Sequence, residues 1–208
     1  MQNLPFETMG LAGDDVQTLE DTYALLKEKF NVGLPCDVKL PMHEFDIFTN
    51  NKDVKVAEIL AISHPANNCY MAFLRVHIYY NSVRAGGEIV DYYKYQVWGF
   101  IKSKKDYGRI LIRRETFADK IAGLIHPVEL EFKDDKAFNH KYYVVTNDAE
   151  KALTALSWNF RNAIMDITNE SMMIETAGNM LLIGNNGWMD KDQTIYLAEI
   201  VSKIASVS

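Results

Sequence analysis

Cysteine is nearly absent from this 208-residue chain, which carries only Cys36 and Cys69. Two thiols without a C-x-x-C spacing exclude a disulfide-stapled secreted scaffold and a local redox or zinc motif. Both are expected to be reduced, packed side chains. Positive charge is also short. A formal net charge of −6 and a pI near 5.4 argue against general nucleic-acid binding, which needs many phosphate-facing cations. The N-terminal segment Met1-Gln-Asn-Leu-Pro-Phe-Glu-Thr-Met9 lacks a basic stretch followed by an apolar one. No run approaches the ~18 consecutive apolar residues that a spanning helix needs. The expected location is the cytoplasm.

Reactive motifs are missing as well. The five histidines, His43, His64, His77, His126 and His140, never fall four apart on a helix or in an H-E-x-x-H pattern, so no metal is predicted. There is no G-x-S-x-G elbow for a serine nucleophile. Ser63-His64 and Cys36-Asp37 are mere adjacencies, and neighbours on a strand point to opposite faces. Gly86-Gly87 falls at a hairpin tip. Gly184-Asn-Asn-Gly187 precedes a helix whose first amides could meet an anion, but Asp190 and Asp192 would repel one, and neither glycine pair has G-x-x-x-x-G-K spacing. Asp14-Asp15 and Asp134-Asp135 lie in polar linkers and read as surface charge. No catalytic residue and no cofactor is predicted.

What is present is ample material for a core: 48% apolar residues, 12% aromatic and 24% charged are ordinary for a globular domain. Two long alternating stretches, Tyr70–Tyr80 and Tyr92–Lys102, flank Asn81-Ser-Val-Arg-Ala-Gly-Gly87 and predict a large antiparallel hairpin. Each arm has one apolar and one mixed face. Upstream, Val16, Leu19, Tyr23, Leu26 and Phe30 share one helical stripe, with Asp14 or Asp15 as cap and Gly33 and Pro35 as the stop. Met42–Phe48 and Val54–Ile62 are expected to pair as strands around Thr49-Asn-Asn-Lys-Asp53.

Downstream, Arg109–Arg113 reads as a strand, and Phe117, Ile121 and Leu124 as a short helix capped by Thr116. Val128–Phe132 and Tyr142–Thr146 read as strands joined by the polar link Asp134–Phe138. A helical region opens at Asp148 with a break near Ser157, followed by a hairpin, Met172–Glu175 with Met180–Ile183. Asp190-Lys-Asp-Gln193 has the form of a capping box for a last helix that buries Leu197, Ile200, Val201 and Ile204. Strands following strands through tight links predict an α+β fold: a mainly antiparallel sheet with a long central hairpin, covered by three to four helices. A soft boundary near Gly123–Pro127 divides residues 1–125 from 126–208, the two packed as one globular unit.

One stretch has an unusual charge balance. Lys102, Lys104, Lys105, Arg109, Arg113 and Arg114 face only Asp106 and Glu115. Such a run could steer an anionic partner or bilayer surface, although edge lysines commonly serve to discourage strand-to-strand aggregation. Tyrosines are dense at Tyr79, Tyr80, Tyr92, Tyr93, Tyr95, Tyr142 and Tyr143. They could form a stacking platform, but cross-strand packing is the simpler account.

The series Phe117-Ala-Asp-Lys-Ile-Ala-Gly-Leu-Ile, Val-Glu-Leu-Glu-Phe132, Phe138-Asn-His-Lys-Tyr142, Asn147-Asp148-Ala-Glu-Lys-Ala-Leu and Asn179-Met-Leu-Leu-Ile183 resembles a group of bacterial proteins of unknown function. Some members of that group carry membrane segments ahead of the soluble part. The resemblance runs from about Glu44 to the end and rests on packing residues, so it implies a shared fold and brings no catalytic or ligand-binding residue. The leading expectation is a noncatalytic domain that binds a protein partner or small ligand. The alternatives are an enzyme with a site assembled from remote residues, between the sheet and the 148–167 helix, or a binder of anionic surfaces through 101–115.

Overall fold

The long hairpin is present, with β3 (Asn68–Ser82) and β4 (Glu88–Lys102) paired antiparallel from Asn68↔Lys102 to Ser82↔Glu88. The structure is a computed structural model that describes residues 4–35, 37–49, 54–82, 88–114 and 127–208. Around the hairpin lie α1 (Gly13–Lys29), β1 (Val32–Gly33), a 3-10 turn (Met42–Glu44), α2 (Asp46–Thr49) and β2 (Val54–Ile62). Then come β5 (Arg109–Arg114), β6 (Val128–Glu129), α3 (Lys136–Lys141), β7 (Tyr142–Thr146), α4 (Ala149–Ala155) and α5 (Trp158–Met165). The hairpin β8 (Met173–Ala177) and β9 (Met180–Gly184) leads into α6 (Lys191–Ala205).

Among the described residues nine strands join one antiparallel sheet in the order β1-β2-β3-β4-β9-β8-β5-β7-β6. The fold is therefore α+β. β4 pairs with β9, and β5 lies between β8 and β7, so strands from both sides of residue 126 alternate in one sheet.

One sheet face is buried under the helices. Its core joins Met71, Phe73, Val97, Ile101, Ile110, Val144, Leu181 and Ile183 to Leu19 and Leu26 of α1, Phe160 and Ile164 of α5, and Leu197, Val201 and Ile204 of α6. Close approach of α6 explains Gly99, because a Cβ there would overlap Val201 Cγ2. The opposite face holds a smaller core of Ala72, Leu74, Trp98, Phe100, Ala177, Met180 and Leu182, closed by Phe45 with Met42, Ile47 and Phe48.

That cover corrects the expected Met42–Phe48 strand. Phe45 packs edge-on against Phe100 (5.6 Å between centroids) and Phe48 against Trp98 (5.3 Å). On one straight strand two rings three residues apart would point to opposite faces, whereas the bend at Phe45 and the α2 turn bring both to one surface. β2 pairs with β3 instead, through an irregularity between Val56 and Glu58.

The Asp134–Phe138 link is likewise partly helical, since Asp135 caps α3 by accepting the Phe138 N–H at 3.1 Å. β6 is shorter than the expected Val128–Phe132 strand, although the Leu130 N–H still reaches the Val144 carbonyl at 2.9 Å. The break near Ser157 is present between α4 and α5, where the Ser157 side chain caps α5. α1 is capped at Ala12 without a side-chain bond, so Asp14 and Asp15 act only as first-turn acids that suit the helix dipole. The expected 117–124 helix lies outside the described residues.

Candidate functional site

The segment from Gly184 to Asp190 cannot continue β9, because Gly184 abuts the Trp98 ring and the chain must turn into α6. The turn is fixed on β4: the Met189 N–H donates to the Tyr95 carbonyl at 2.7 Å, and Gln96 Nε2 donates to the Asn186 carbonyl at 3.0 Å. Asn185 Oδ1 accepts the Gly187 N–H at 2.7 Å. Trp188 is left 45% exposed, with Lys94 Nζ 5.9 Å from its ring centroid.

Asp190 caps α6 by accepting the Gln193 N–H at 2.9 Å. The capping box is only half used, because the Gln193 side chain turns away and Oε1 accepts from Asn169 Nδ2 at 2.9 Å. Asn169 Oδ1 in turn accepts from the Ser171 N–H and hydroxyl (3.0 and 2.7 Å), and Ser171 Oγ accepts from Asn185 Nδ2 at 3.1 Å. Tyr196 Oη accepts from the Thr168 N–H at 2.7 Å and its hydroxyl at 3.1 Å. These solvent-exposed bonds link a row of amides and hydroxyls across two loops.

Hollows run along this row. One of about 570 Å³ is lined by Thr168, Asn169, Asp192, Gln193 and Tyr196. It shares Gln193 with a small cleft of about 30 Å³ that reaches Asn185, Trp188, Asp190 and Leu197. Trp188 and Met189 also border a niche with Asp15, Lys94 and Tyr95. Another hollow of about 570 Å³ lies beside Lys105, Asp106, Lys151 and Thr154, where Lys151 is ion-paired with Asp106 and the lining is a charged outer surface.

Beyond this groove the hairpin continues as a ribbon. The outermost described pair of β2 with β3 is Val54↔Val76, and β9 leaves β4 at Trp98↔Gly184. Gly10 covers the next edge position, its carbonyl accepting the Tyr93 N–H at 3.1 Å. From His77↔Tyr93 outward, the two strands have no third strand among the described residues. The Arg75 guanidinium sits 3.7 Å from the Tyr93 centroid, pairs with Glu7 and donates to the Met9 carbonyl. His77 stacks on Tyr93 at 4.7 Å, and its Nε2 lies 2.9 Å from Asp91 Oδ1. The tyrosines divide between faces: Tyr79 and Tyr93 project opposite to Tyr92, while Tyr142 is buried with its hydroxyl on the Ile164 carbonyl at 2.8 Å.

The six cations of 101–115 do not share a face. Lys102, Lys104 and Lys105 are exposed where β4 leads to β5. Arg109 is committed to Asp46 (2.9 Å) and Glu175 (3.3 Å) and also donates to the Glu44 carbonyl. Arg113 is buried on that same side of β5, over the Tyr143 ring at 5.7 Å. Arg114 points to the other side, donating to the Ile167 carbonyl at 3.0 Å beside the Tyr142 ring.

Among the described residues no group of three or more His, Cys, Asp or Glu side chains could hold a metal ion. Burial pushes the Cys69 thiol up to about 12. It does the same to the phenols of Tyr95, against the pull of Arg75, and of Tyr142, both to about 12. Tyr107 is raised by burial, with Ser103 and Ser208 pulling the other way. Glu175 is raised by burial, opposed by the Asp46 N–H and Arg109. A thiol and phenols displaced in this direction stay protonated at neutral pH and make poor nucleophiles or bases. In the sequence this region shows only the Gly184–Gly187 loop and the Asp190–Gln193 capping box, because single amides and hydroxyls form no spacing motif. The diverted capping-box glutamine was the one local signal.

No protein-family model and no curated protein matches the chain. Among solved structures it is similar to the crystal structure of the mycobacterial trehalose monomycolate transport factor A, with a TM-score of 0.59 and 7% identity over 90% of this chain and 92% of that one. At that identity the likeness is one of fold alone.

Proposed function

We propose that this is a noncatalytic binding domain that holds a small, uncharged ligand in the groove at the start of α6. The observation that carries this reading is the linked row of amides and hydroxyls from Asn185 to Tyr196, beside a half-exposed Trp188 and open to hollows that share Gln193. Small-molecule sites combine an apolar wall with a few polar groups whose direction is set in advance. Noncatalytic binding is supported by the place of the buried thiol and phenols: Cys69, Tyr95, Tyr107 and Tyr142 line neither hollow of the groove and, held protonated by burial, would make poor acid–base groups there.

The test is a titration of ¹⁵N-labelled protein with a set of neutral small molecules. The expected result is that the largest shifts fall on the Trp188 indole N–H and on the side-chain amides of Asn169, Asn185 and Gln193. Largest shifts on the Lys105–Lys151 surface or along the sheet would overturn it.

A second reading is a protein partner, favoured by the β3–β4 ribbon, whose outer pairs have no third strand among the described residues. Unpaired strand edges accept an added strand through main-chain hydrogen bonds. Among the described residues no helix is long and apolar enough to cross a membrane. Reading both cysteines as reduced thiols, we place the domain in the cytoplasm; recovery of the native protein in an oxidising compartment's fraction would reject that placement.

A further inference from the structure

We infer that the groove ligand is a hydroxyl-rich ring, that is, a neutral saccharide. This rests on the reading of the groove as a small-molecule site and adds its chemical class. The argument begins with charge. No lysine or arginine lines the larger hollow or the cleft that joins it at Gln193, whereas Asp192 and Asp190 do. An anion would meet the repulsion of both carboxylates, while Lys94, 5.9 Å from the Trp188 centroid, lies in the adjoining niche and outside both linings.

The hydrogen-bonding capacity left after the internal bonds is mixed. Gln193 spends its carbonyl oxygen on Asn169, which leaves its NH2 group to donate. Tyr196 Oη accepts from the Thr168 N–H and shares a hydroxyl–hydroxyl bond with Thr168 Oγ1, so it can donate as well as accept. Asn185 uses one amide hydrogen on Ser171 and its oxygen on Gly187, keeping one donor. Asp190 caps α6 through Oδ1, and its other oxygen can accept. A wall that offers donors on Asn185, Gln193 and Tyr196 and an acceptor on Asp190 suits hydroxyl groups, each of which donates and accepts at once. A carboxylate ligand would use only the donors and an ammonium only the acceptors.

The apolar component completes the match. Trp188 is 45% exposed and borders the cleft that contains Gln193. Its backbone neighbour Met189 is tied to Tyr95, so the indole is presented by an anchored turn. A flat ring carrying an N–H handle suits a ligand with an apolar C–H face and a polar rim, as a pyranose has. The hollow beyond Gln193 has about 570 Å³, within the usual range for small-ligand sites, and the cleft that Trp188 borders adds about 30 Å³.

The test is titration of the full chain with cellobiose and maltose, followed by ¹H–¹⁵N spectra and calorimetry. N-methylacetamide serves as a neutral non-sugar, glucuronate as an anion and glucosamine as a cation. Expected are sugar-induced shifts at the Trp188 indole N–H and the Gln193 side chain, with an affinity loss of about tenfold or more in Trp188→Ala and in Gln193→Ala. Trp188→Phe should retain most of the affinity, and Trp158→Ala, which changes an exposed tryptophan elsewhere, should change nothing. Backbone dispersion in the same spectra reports whether each variant is folded. Shifts in the groove from N-methylacetamide but from neither sugar would reject the saccharide and leave the small-molecule reading standing. Silence of the groove toward all five probes would reject both. Preference for glucosamine or glucuronate over the neutral sugars would also overturn the inference.

Discussion

Val201 Cγ2 of α6 occupies the space that a Cβ on Gly99 of β4 would fill. The last helix and the central hairpin are therefore matched at one point of contact. Gly99→Ala should destabilise the domain by about 1–3 kcal/mol through overpacking, measured as a lower urea midpoint at unchanged slope. Val201→Ala introduced with it should recover part of the loss. If Gly99→Ala matches the parent in stability, the tight approach of α6 is wrong.

Arg75 joins three groups that are remote in sequence: the Glu7 carboxylate, the Met9 carbonyl and the Tyr93 ring. Arg75→Ala should release the 4–11 segment from the root of the ribbon. The Tyr93 amide, bonded to the Gly10 carbonyl, should then lose hydrogen-exchange protection by about tenfold, equivalent to ~1.4 kcal/mol of local stability. Arg75→Lys should restore little, since an ammonium cannot reproduce the planar stacked contact. Full protection of Tyr93 in Arg75→Ala would reject this anchoring role.

Glu175 gives a pH signature. Burial raises its pKa in the folded protein above the ordinary glutamate value of 4.5, so between those two values the folded state holds a proton that the unfolded chain has released. Its contribution to stability is complete below the unfolded value and falls as pH rises through the folded one, by at most about 1.4 kcal/mol per pH unit. Urea unfolding of the parent and Glu175→Gln from pH 4 to 8 should show the parent losing stability relative to the variant across that window. A relative gain for the parent would contradict the burial assignment.

Cys69 is almost completely buried, with its thiol pushed up to about 12. Alkylation by iodoacetamide at pH 8, followed by peptide mass spectrometry, should leave Cys69 unmodified in the native protein and label it as urea opens the fold. Rapid labelling under native conditions would show the site to be accessible.

Much of the topology is legible in residue order because its causes are local. Alternation places Met71 and Phe73 opposite Ala72 and Leu74, and Asp190 and Ser157 cap the helices that follow them. The Met42–Phe48 segment misleads because its apolar residues fit a strand until Trp98 and Phe100 are seen to require both Phe45 and Phe48. The run of cations shows a different limit of residue order. Counting charge along the chain cannot show that Arg109 is neutralised by Asp46 and Glu175, 63 and 66 residues away.

Periodicity and turn chemistry alone settled that antiparallel strands would form here with helices packed against them, since both depend on neighbours a few positions apart. Tertiary structure alone decided that β9 would lie beside β4, that Gln193 would leave its own helix cap for Asn169, and that a groove would form between two loops. Each of these is a contact between segments distant in sequence, and its energy exists only once the chain has closed around it.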